Sequence, residues 1–232
     1  MSSKNPVIIG HRGAKGHLAE NTLPSISKAI ELGVDGIEID IFKCASGELV
    51  VFHDKTLEKL TNSTGYIEEL VLDSIRRIEV LNGYSIPTPE EVLDLSQGRV
   101  FLDIELKGRA PALKTDEVLQ VYFEGEAWFP EKILISSFNW DELKIFRQIN
   151  KEVPIAILTE DDPLDAIPIG LELKAKAINP DFKTLNSINV AKIHKAGFKV
   201  FPWTVNKIDN IAIMKSLGVD GIITDFPERI SP

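Results

Sequence analysis

Residues 32–41 read Leu-Gly-Val-Asp-Gly-Ile-Glu-Ile-Asp-Ile and residues 217–226 read Leu-Gly-Val-Asp-Gly-Ile-Ile-Thr-Asp-Phe, so seven of the ten positions agree. Physically this is one device used twice: a helix ending on a glycine, a tight turn, and a buried strand ending on a carboxylate. Working outward, short β-branched runs recur at Val7–Ile9, Gly36–Ile41, Val100–Leu106, Ile133–Ser136, Ile155–Leu158, Ala177–Asn179, Lys199–Phe201 and Gly221–Thr224. The last five start at 133, 155, 177, 199 and 221, a constant spacing of 22 residues that is the rhythm of βα units in a parallel sheet. Helix-length segments lie between them, for example Leu23–Leu32, with Thr22 as N-cap, Pro24 in the first turn and Gly33 after the end. Eight such units predict a closed α/β TIM (β/α)8 barrel. An open doubly wound sheet is the rival, but no G-x-G-x-x-G follows the first strand.

The interval between the second and third runs breaks the rhythm, and residues 43–89 are expected to form a small insertion in a single domain spanning 1–232. Cys44–Glu48 reads as a turn, Leu49–Phe52 as an accessory strand, and His53–Pro89 as an irregular excursion with a short helix about Asp73–Val80. Long βα insertions in barrels usually sit over the active-site mouth.

Composition narrows the function classes. The 232 residues carry 35 acidic against 26 basic side chains, a formal charge of −9, with 44% hydrophobic and 26% charged residues. That is an ordinary globular balance, and a chain of this length buries roughly 70–75% of its unfolded surface. An acidic chain offers little to a polyanion, so nucleic acid is not an expected partner. One cysteine, Cys44, makes no intramolecular disulfide. The longest early apolar run, Val7–Ile9, is too short for a signal peptide or a span, and a cytoplasmic enzyme is expected. Oligomeric state is not encoded legibly.

In a strand, residues two apart share a face, so Glu38 and Asp40 oppose Ile37, Ile39 and Ile41, and Asp103, Glu105 and Lys107 oppose Leu102, Ile104 and Leu106. The apolar faces should meet the helices, and the charged faces should point into the barrel. Glu38, Asp40 and Glu105 converging at one rim suit one hard divalent cation, Mg²⁺ or Ca²⁺; the alternative is an ion-pair network with Lys107 or Arg12. Asp103 lies deeper and reads as structural. His11 and His53 end predicted strands beside this cluster, and an unperturbed pKa of about 6.5 suits proton transfer. His17 reads as a solvated loop residue and His194 as structural, within the helical stretch Val190–Ala196. Arg12 can grip a phosphate by a forked pair of hydrogen bonds and Lys107 as a point charge. Trp203 reads equally as a ligand platform or a buried tryptophan.

Taken together, His11-Arg12-Gly13 with Glu20-Asn21-Thr22, Glu38-x-Asp40, His53-Asp54, Glu105-x-Lys107, Ser136-Ser137-Phe138, Trp203-Thr204-Val205-Asn206 and Gly221-Ile222-Ile223-Thr224-Asp225 resemble the glycerophosphodiester phosphodiesterase family in order, over nearly the whole chain. The resemblance implies a barrel hydrolysing glycerophosphodiesters to glycerol 3-phosphate and an alcohol. By it, His11 and His53 match the catalytic pair, Glu38, Asp40 and Glu105 the divalent-cation ligands, and Arg12 and Lys107 the phosphate-binding positions. Two departures are Ala19, where a proline usually precedes Glu-Asn-Thr, and Cys44-Ala45-Ser46 before Gly47. Which histidine is acid and which is base, and whether water or a glycerol hydroxyl attacks, stay open. A lipid-directed phosphodiesterase of the lysophospholipase D or phospholipase C type is an alternative, disfavoured because the insertion shows no basic amphipathic run for stable membrane association. A non-catalytic phosphate-binding barrel is the rival of another class.

Overall fold

The computed structural model describes residues 5–230, and residues 1–4 and 231–232 of the expected domain lie outside the described residues. Barrel strands β1 (Val7–His11) and β2 (Gly36–Lys43) flank helix α1 (Leu23–Glu31). The insertion follows, with β3 (Leu49–Val51), α2 (Leu72–Ile75), β4 (Glu79–Val80) and β5 (Tyr84–Ser85), and then α3 (Pro89–Ser96). The regular alternation resumes with β6 (Phe101–Leu106), α4 (Ala112–Phe123), β7 (Ile133–Ser137), α5 (Trp140–Ile149), β8 (Ile155–Thr159) and α6 (Ala166–Leu173). It ends with β9 (Ala177–Pro180), α7 (Ser187–Lys195), β10 (Lys199–Val200), α8 (Ile208–Leu217) and β11 (Gly221–Thr224).

Eight parallel strands run in the order β10-β9-β8-β7-β6-β2-β1-β11. The ring closes between its two ends through single backbone bonds, Asp220 N–H to Val200 O and Ile223 N–H to Pro202 O, both 3.0 Å. Pro180, at the end of β9, has no N–H to donate back to the seventh run, so the ladder between them is confined to Lys199–Val200, although the Phe201 and Trp203 amides still donate to the Ile178 and Pro180 carbonyls at 3.1 Å. The expected Leu23–Leu32 helix forms with Thr22 accepting from the Ser25 amide, and Leu32 caps its end.

The repeated device does the same work in both copies. Gly33 and Gly218 terminate α1 and α8 at φ +77° and +76°. The Asp35 side chain accepts the Ile8 amide at 2.7 Å, and that of Asp220 accepts the Val200 amide at 2.9 Å, so each ties its strand to the preceding one. Gly36 and Gly221 face the barrel floor: a Cβ on Gly36 would lie 2.3 Å from the Phe101 ring, and one on Gly221 2.6 Å from Val7 and 2.7 Å from Phe201.

Side chains sort by strand parity. Ile37, Ile39, Ile41, Leu102, Ile104 and Ile135 join the large core between strands and helices. Ile9, Leu134, Ala156, Ala177, Phe201 and Ile223 form a small inner cluster that plugs the barrel. The polar residues of the same parity lie further along their strands, so everything above the plug faces the C-terminal mouth.

The insertion closes over its own apolar cluster, which includes Phe42, Phe52, Leu57, Ile67, Ile75 and Ile86. The expected helix at Asp73–Val80 is a correction: only Leu72–Ile75 is helical, and Glu79–Val80 pairs with Tyr84–Ser85 as a ribbon. Asn62 pulls this segment out of the helix, its side chain accepting the Glu79 amide at 3.1 Å while its own amide donates to the Glu79 carbonyl at 3.0 Å. The helix that completes the second βα unit is α3, begun by a Thr88–Glu91 capping box. No helix among the described residues is long and apolar enough to cross a membrane.

Candidate active site

The mouth is organised on β2 and β6, whose register sets Glu38 beside Asp103 and Asp40 beside Glu105. The carboxylates of Glu38, Asp40 and Glu105 each offer an oxygen within 4.8 Å of the others, and all three residues are buried. Like charges this close repel, and burial strips them of water. Burial and the Asp40 charge push Glu105 up to about 8 and Glu38 well above the carboxylate range. Asp40 goes the other way, to about 2, because Arg12 and Lys107 outweigh its burial. The Arg12 Nε lies 3.1 Å from Asp40, and the Lys107 ammonium 3.4 Å from Asp40 and 3.0 Å from Glu105. Both sequence readings of the acidic group are therefore present in one arrangement, a carboxylate triad and an ion-pair network.

That triad fits a hard divalent cation. Its donors are all carboxylate oxygens, and the Asp40 Oδ1 is buried without accepting a hydrogen bond.

The loop after β1 shapes the other wall. Arg12 and Asn21 adopt left-handed backbone at φ +53° and +57°. The conformation is held by the Arg12 amide donating to Glu38 at 2.9 Å and by Ser25 Oγ and the Asn21 amide donating to the Arg12 carbonyl at 3.1 and 3.0 Å. Gly13 follows at φ +86° with the Ser25 backbone 2.6 Å from where a Cβ would stand, so this turn admits no side chain. Asn21 in turn donates to Asp40 at 2.8 Å, and Glu20 pairs with the Arg12 guanidinium and with Lys15.

His11 and His53 both line the cavity, each backed by a carboxylate. His11 Nδ1 lies 2.6 Å from Asp225, which also accepts from Asn206 at 2.7 Å; His53 Nδ1 lies 2.5 Å from Asp54. The histidine and its other partners hold Asp225 below the usual carboxylate range despite partial burial, and the same holds for Asp54. An ionised carboxylate only accepts, so each ring donates through Nδ1 and presents Nε2 elsewhere. For His11 that nitrogen is 3.9 Å from Glu38. Burial lowers the pKa of both rings.

Together these groups line a cavity of about 130 Å³ bounded by His11, Arg12, Glu38, His53, Glu105 and Trp203. Trp203 packs edge-on against Phe138 at 5.4 Å and donates to the Asn179 carbonyl at 2.8 Å, so it is both a wall of the cavity and a tied residue. Asp103 lies deeper, as expected, accepting from Ser136 at 2.6 Å and Asn179 at 3.0 Å, and burial raises it to about 7. His17 sits outside on Glu228, and His194 on Asp220 below the barrel.

Two polar partners escaped the sequence reading as functional groups, Asp225 and Asp54. Both had a signal: Asp225 is the counterpart of Asp40 in the repeat, and Asp54 directly follows His53.

Residues 11–229 match the Glycerophosphoryl diester phosphodiesterase family. A glycerophosphodiester phosphodiesterase of Caldanaerobacter subterraneus subsp. tengcongensis is 33% identical, over 97% of this chain and 96% of that one. One from Bacillus altitudinis is 32% identical over 96% and 95%. Among solved structures, a phosphodiesterase of Oleispira antarctica in complex with the product sn-glycerol-3-phosphate superposes with a TM-score of 0.87 at 26% identity, covering 97% of this chain and 95% of that one. The family match extends from His11 at the end of β1 to Arg229 after β11, and the chain belongs to the glycerophosphoryl diester phosphodiesterase family.

Proposed function

We propose that this protein hydrolyses glycerophosphodiesters to glycerol 3-phosphate and an alcohol, with His11 and His53 moving the protons and Glu38, Asp40 and Glu105 holding a divalent cation. The observation that carries the reading is the pair of histidines, each anchored through Nδ1 to a carboxylate, flanking one small cavity with the buried acidic triad. A pure binder has no use for two oriented proton carriers. Family membership and the named activities of the relatives support the same reaction.

Bound there, Mg²⁺ or Ca²⁺ would act as a Lewis acid on a phosphoryl oxygen and offset the charge of the triad. Arg12 and Lys107, already fixed by Glu20, Asp40 and Glu105, place their remaining donors where negative charge grows on the phosphoryl oxygens. One histidine Nε2 takes the proton from the attacking nucleophile, either water or the glycerol 2-hydroxyl, and the other, protonated, delivers its proton to the departing alkoxide; where the glycerol hydroxyl attacks, water then opens the resulting cyclic phosphate to glycerol 3-phosphate. Such transfer contributes roughly 10²–10⁴-fold in rate. Asp225 and Asp54 fix each ring's tautomer and favour its protonated form as it arises. Trp203 and Phe138 form one wall of the cavity.

A panel of glycerophosphodiesters assayed with Mg²⁺, Ca²⁺ or EDTA tests the reading. Turnover that needs the ion and is lost in both His11→Ala and His53→Ala is expected; near wild-type turnover in both variants overturns it. Lysophosphatidylcholine hydrolysis outpacing that of soluble diesters would favour the lipid-directed alternative.

A further inference from the structure

The cavity holding the catalytic groups, about 130 Å³, is below the 300–1,000 Å³ usual for small-molecule sites and is too small for both arms of a diester. Beside it lies an open cleft of about 530 Å³ between the insertion and the loop after β6. The two are continuous, because Glu105 and Phe138 line both, and Lys107 walls the cleft while its ammonium touches Asp40 and Glu105 at the cavity. A phosphate at Lys107 would sit at their junction, which leaves the closed side for the three-carbon glycerol arm and the open one for the variable alcohol arm.

The cleft carries a distinct charge pattern. Lys55, two residues beyond His53, and Arg109, two beyond Lys107, are exposed, line it, and have no carboxylate within ion-pairing distance among the described residues. Its two carboxylates are committed elsewhere: Glu105 to Lys107, and Glu68 to the Arg109 backbone amide at 2.7 Å. Gly108 makes that last contact possible, since a Cβ there would lie 2.4 Å from the Glu68 carboxylate. Glu68 thus pins the β6 loop to the insertion, which brings Arg109 and Lys55 to the same cleft.

We propose that this cleft receives the alcohol arm of the diester and that Lys55 and Arg109 make it selective for an alcohol bearing its own anionic group, such as a second phosphate. The inference rests on the function proposed above and adds the substrate class. The opposite chemistry is also available nearby, because the exposed Glu160 borders the cavity with Trp203 and Phe138 and would suit a cationic arm.

The test measures kcat/KM of the full chain, with the divalent ion that supports turnover, on glycerophosphoinositol phosphate, glycerophosphoglycerol and glycerophosphocholine. Two exposed charge contacts predict a preference of roughly tenfold for the phosphorylated arm over the neutral one at low salt, narrowing as added salt screens them. The double variant Lys55→Glu, Arg109→Glu is expected to reverse the order, placing choline first. Ratios between substrates on one protein sample do not depend on its folded fraction. An unchanged ratio in the double variant, or a wild-type preference for choline, overturns the selectivity while leaving the hydrolytic reading intact. Absence of turnover on all three overturns that reading and this inference with it.

Discussion

The two copies of the repeated segment agree for as long as the task is architectural and part where it becomes chemical. Gly33 and Gly218, Asp35 and Asp220, and Gly36 and Gly221 make equivalent contacts at the bottom of the barrel. Two residues further on, Glu38 enters the acidic triad, whereas its counterpart Ile223 joins the apolar plug. At the strand ends, Asp40 is fully buried between Arg12 and Lys107, while Asp225 is partly exposed and holds His11. One device thus supplies a carboxylate of the acidic triad in one copy and a carboxylate paired with a histidine in the other. The lesson is that the floor constrains sequence by geometry alone, and the same position at the rim is free to take up different chemistry.

The comparison breaks most sharply at the two aspartates. Asp40→Asn keeps the shape and removes the charge, and a fall of roughly 10³-fold in kcat is expected, accompanied by loss of divalent-ion binding in a calorimetric titration. Asp225→Asn should leave ion binding intact and lower kcat by roughly 10²-fold. Asn206 donates to one oxygen of Asp225, so an asparagine there turns its own oxygen to Asn206 and its amide to His11, selecting the tautomer with the proton on Nε2. Ion binding lost in Asp225→Asn but retained in Asp40→Asn would reverse the assignment.

Proton linkage separates the copies again. Without a cation burial and the Asp40 charge push Glu105 up to about 8, so it retains a proton near neutrality that a cation must expel, and the same two causes raise Glu38 in the same direction. Affinity for Mg²⁺ is therefore expected to rise with pH from 6 towards 8, by about tenfold per unit for each proton expelled, and to level off above that. Calorimetry in two buffers of different ionisation heat reads the released protons directly. Asp225 contributes nothing to this release, because His11 and Asn206 already hold it ionised. An affinity flat between pH 6 and 8 would mean that the triad is not the cation site.

Much of this was legible in the chain. The 22-residue rhythm located the strands because each βα unit must bury a strand and a helix of fixed length, and the period-2 alternation in β2 and β6 placed Glu38, Asp40 and Glu105 on one face. What sequence did not yield is whatever depends on partners distant along the chain. Asp225 finds His11 across 214 positions, and only the pairing of the last strand with the first brings β11 next to β1. The fate of the 73–80 segment was likewise set by Asn62 rather than by its own helical pattern. Arg12 read both as a phosphate ligand and as a possible ion-pair partner of the acidic cluster, but that Glu20 shares its guanidinium with Asp40 shows only when the loop after β1 folds back over β2.

The smallest effects test whether the floor is as symmetric as it looks. Gly36→Ala places a methyl against the Phe101 ring and Gly221→Ala one against Val7 and Phe201, and overpacking of this kind costs about 1–3 kcal/mol. Gly33→Ala and Gly218→Ala meet no atom within 4 Å, so only left-handed backbone strain remains, about 1 kcal/mol each. Denaturant unfolding of the four variants should therefore give two matched pairs, with the Gly36 and Gly221 variants the less stable pair. If Gly221→Ala proved markedly milder than Gly36→Ala, the reason would lie in β10, whose two-residue ladder lets Phe201 retreat where Phe101, held in the six-residue β6, does not.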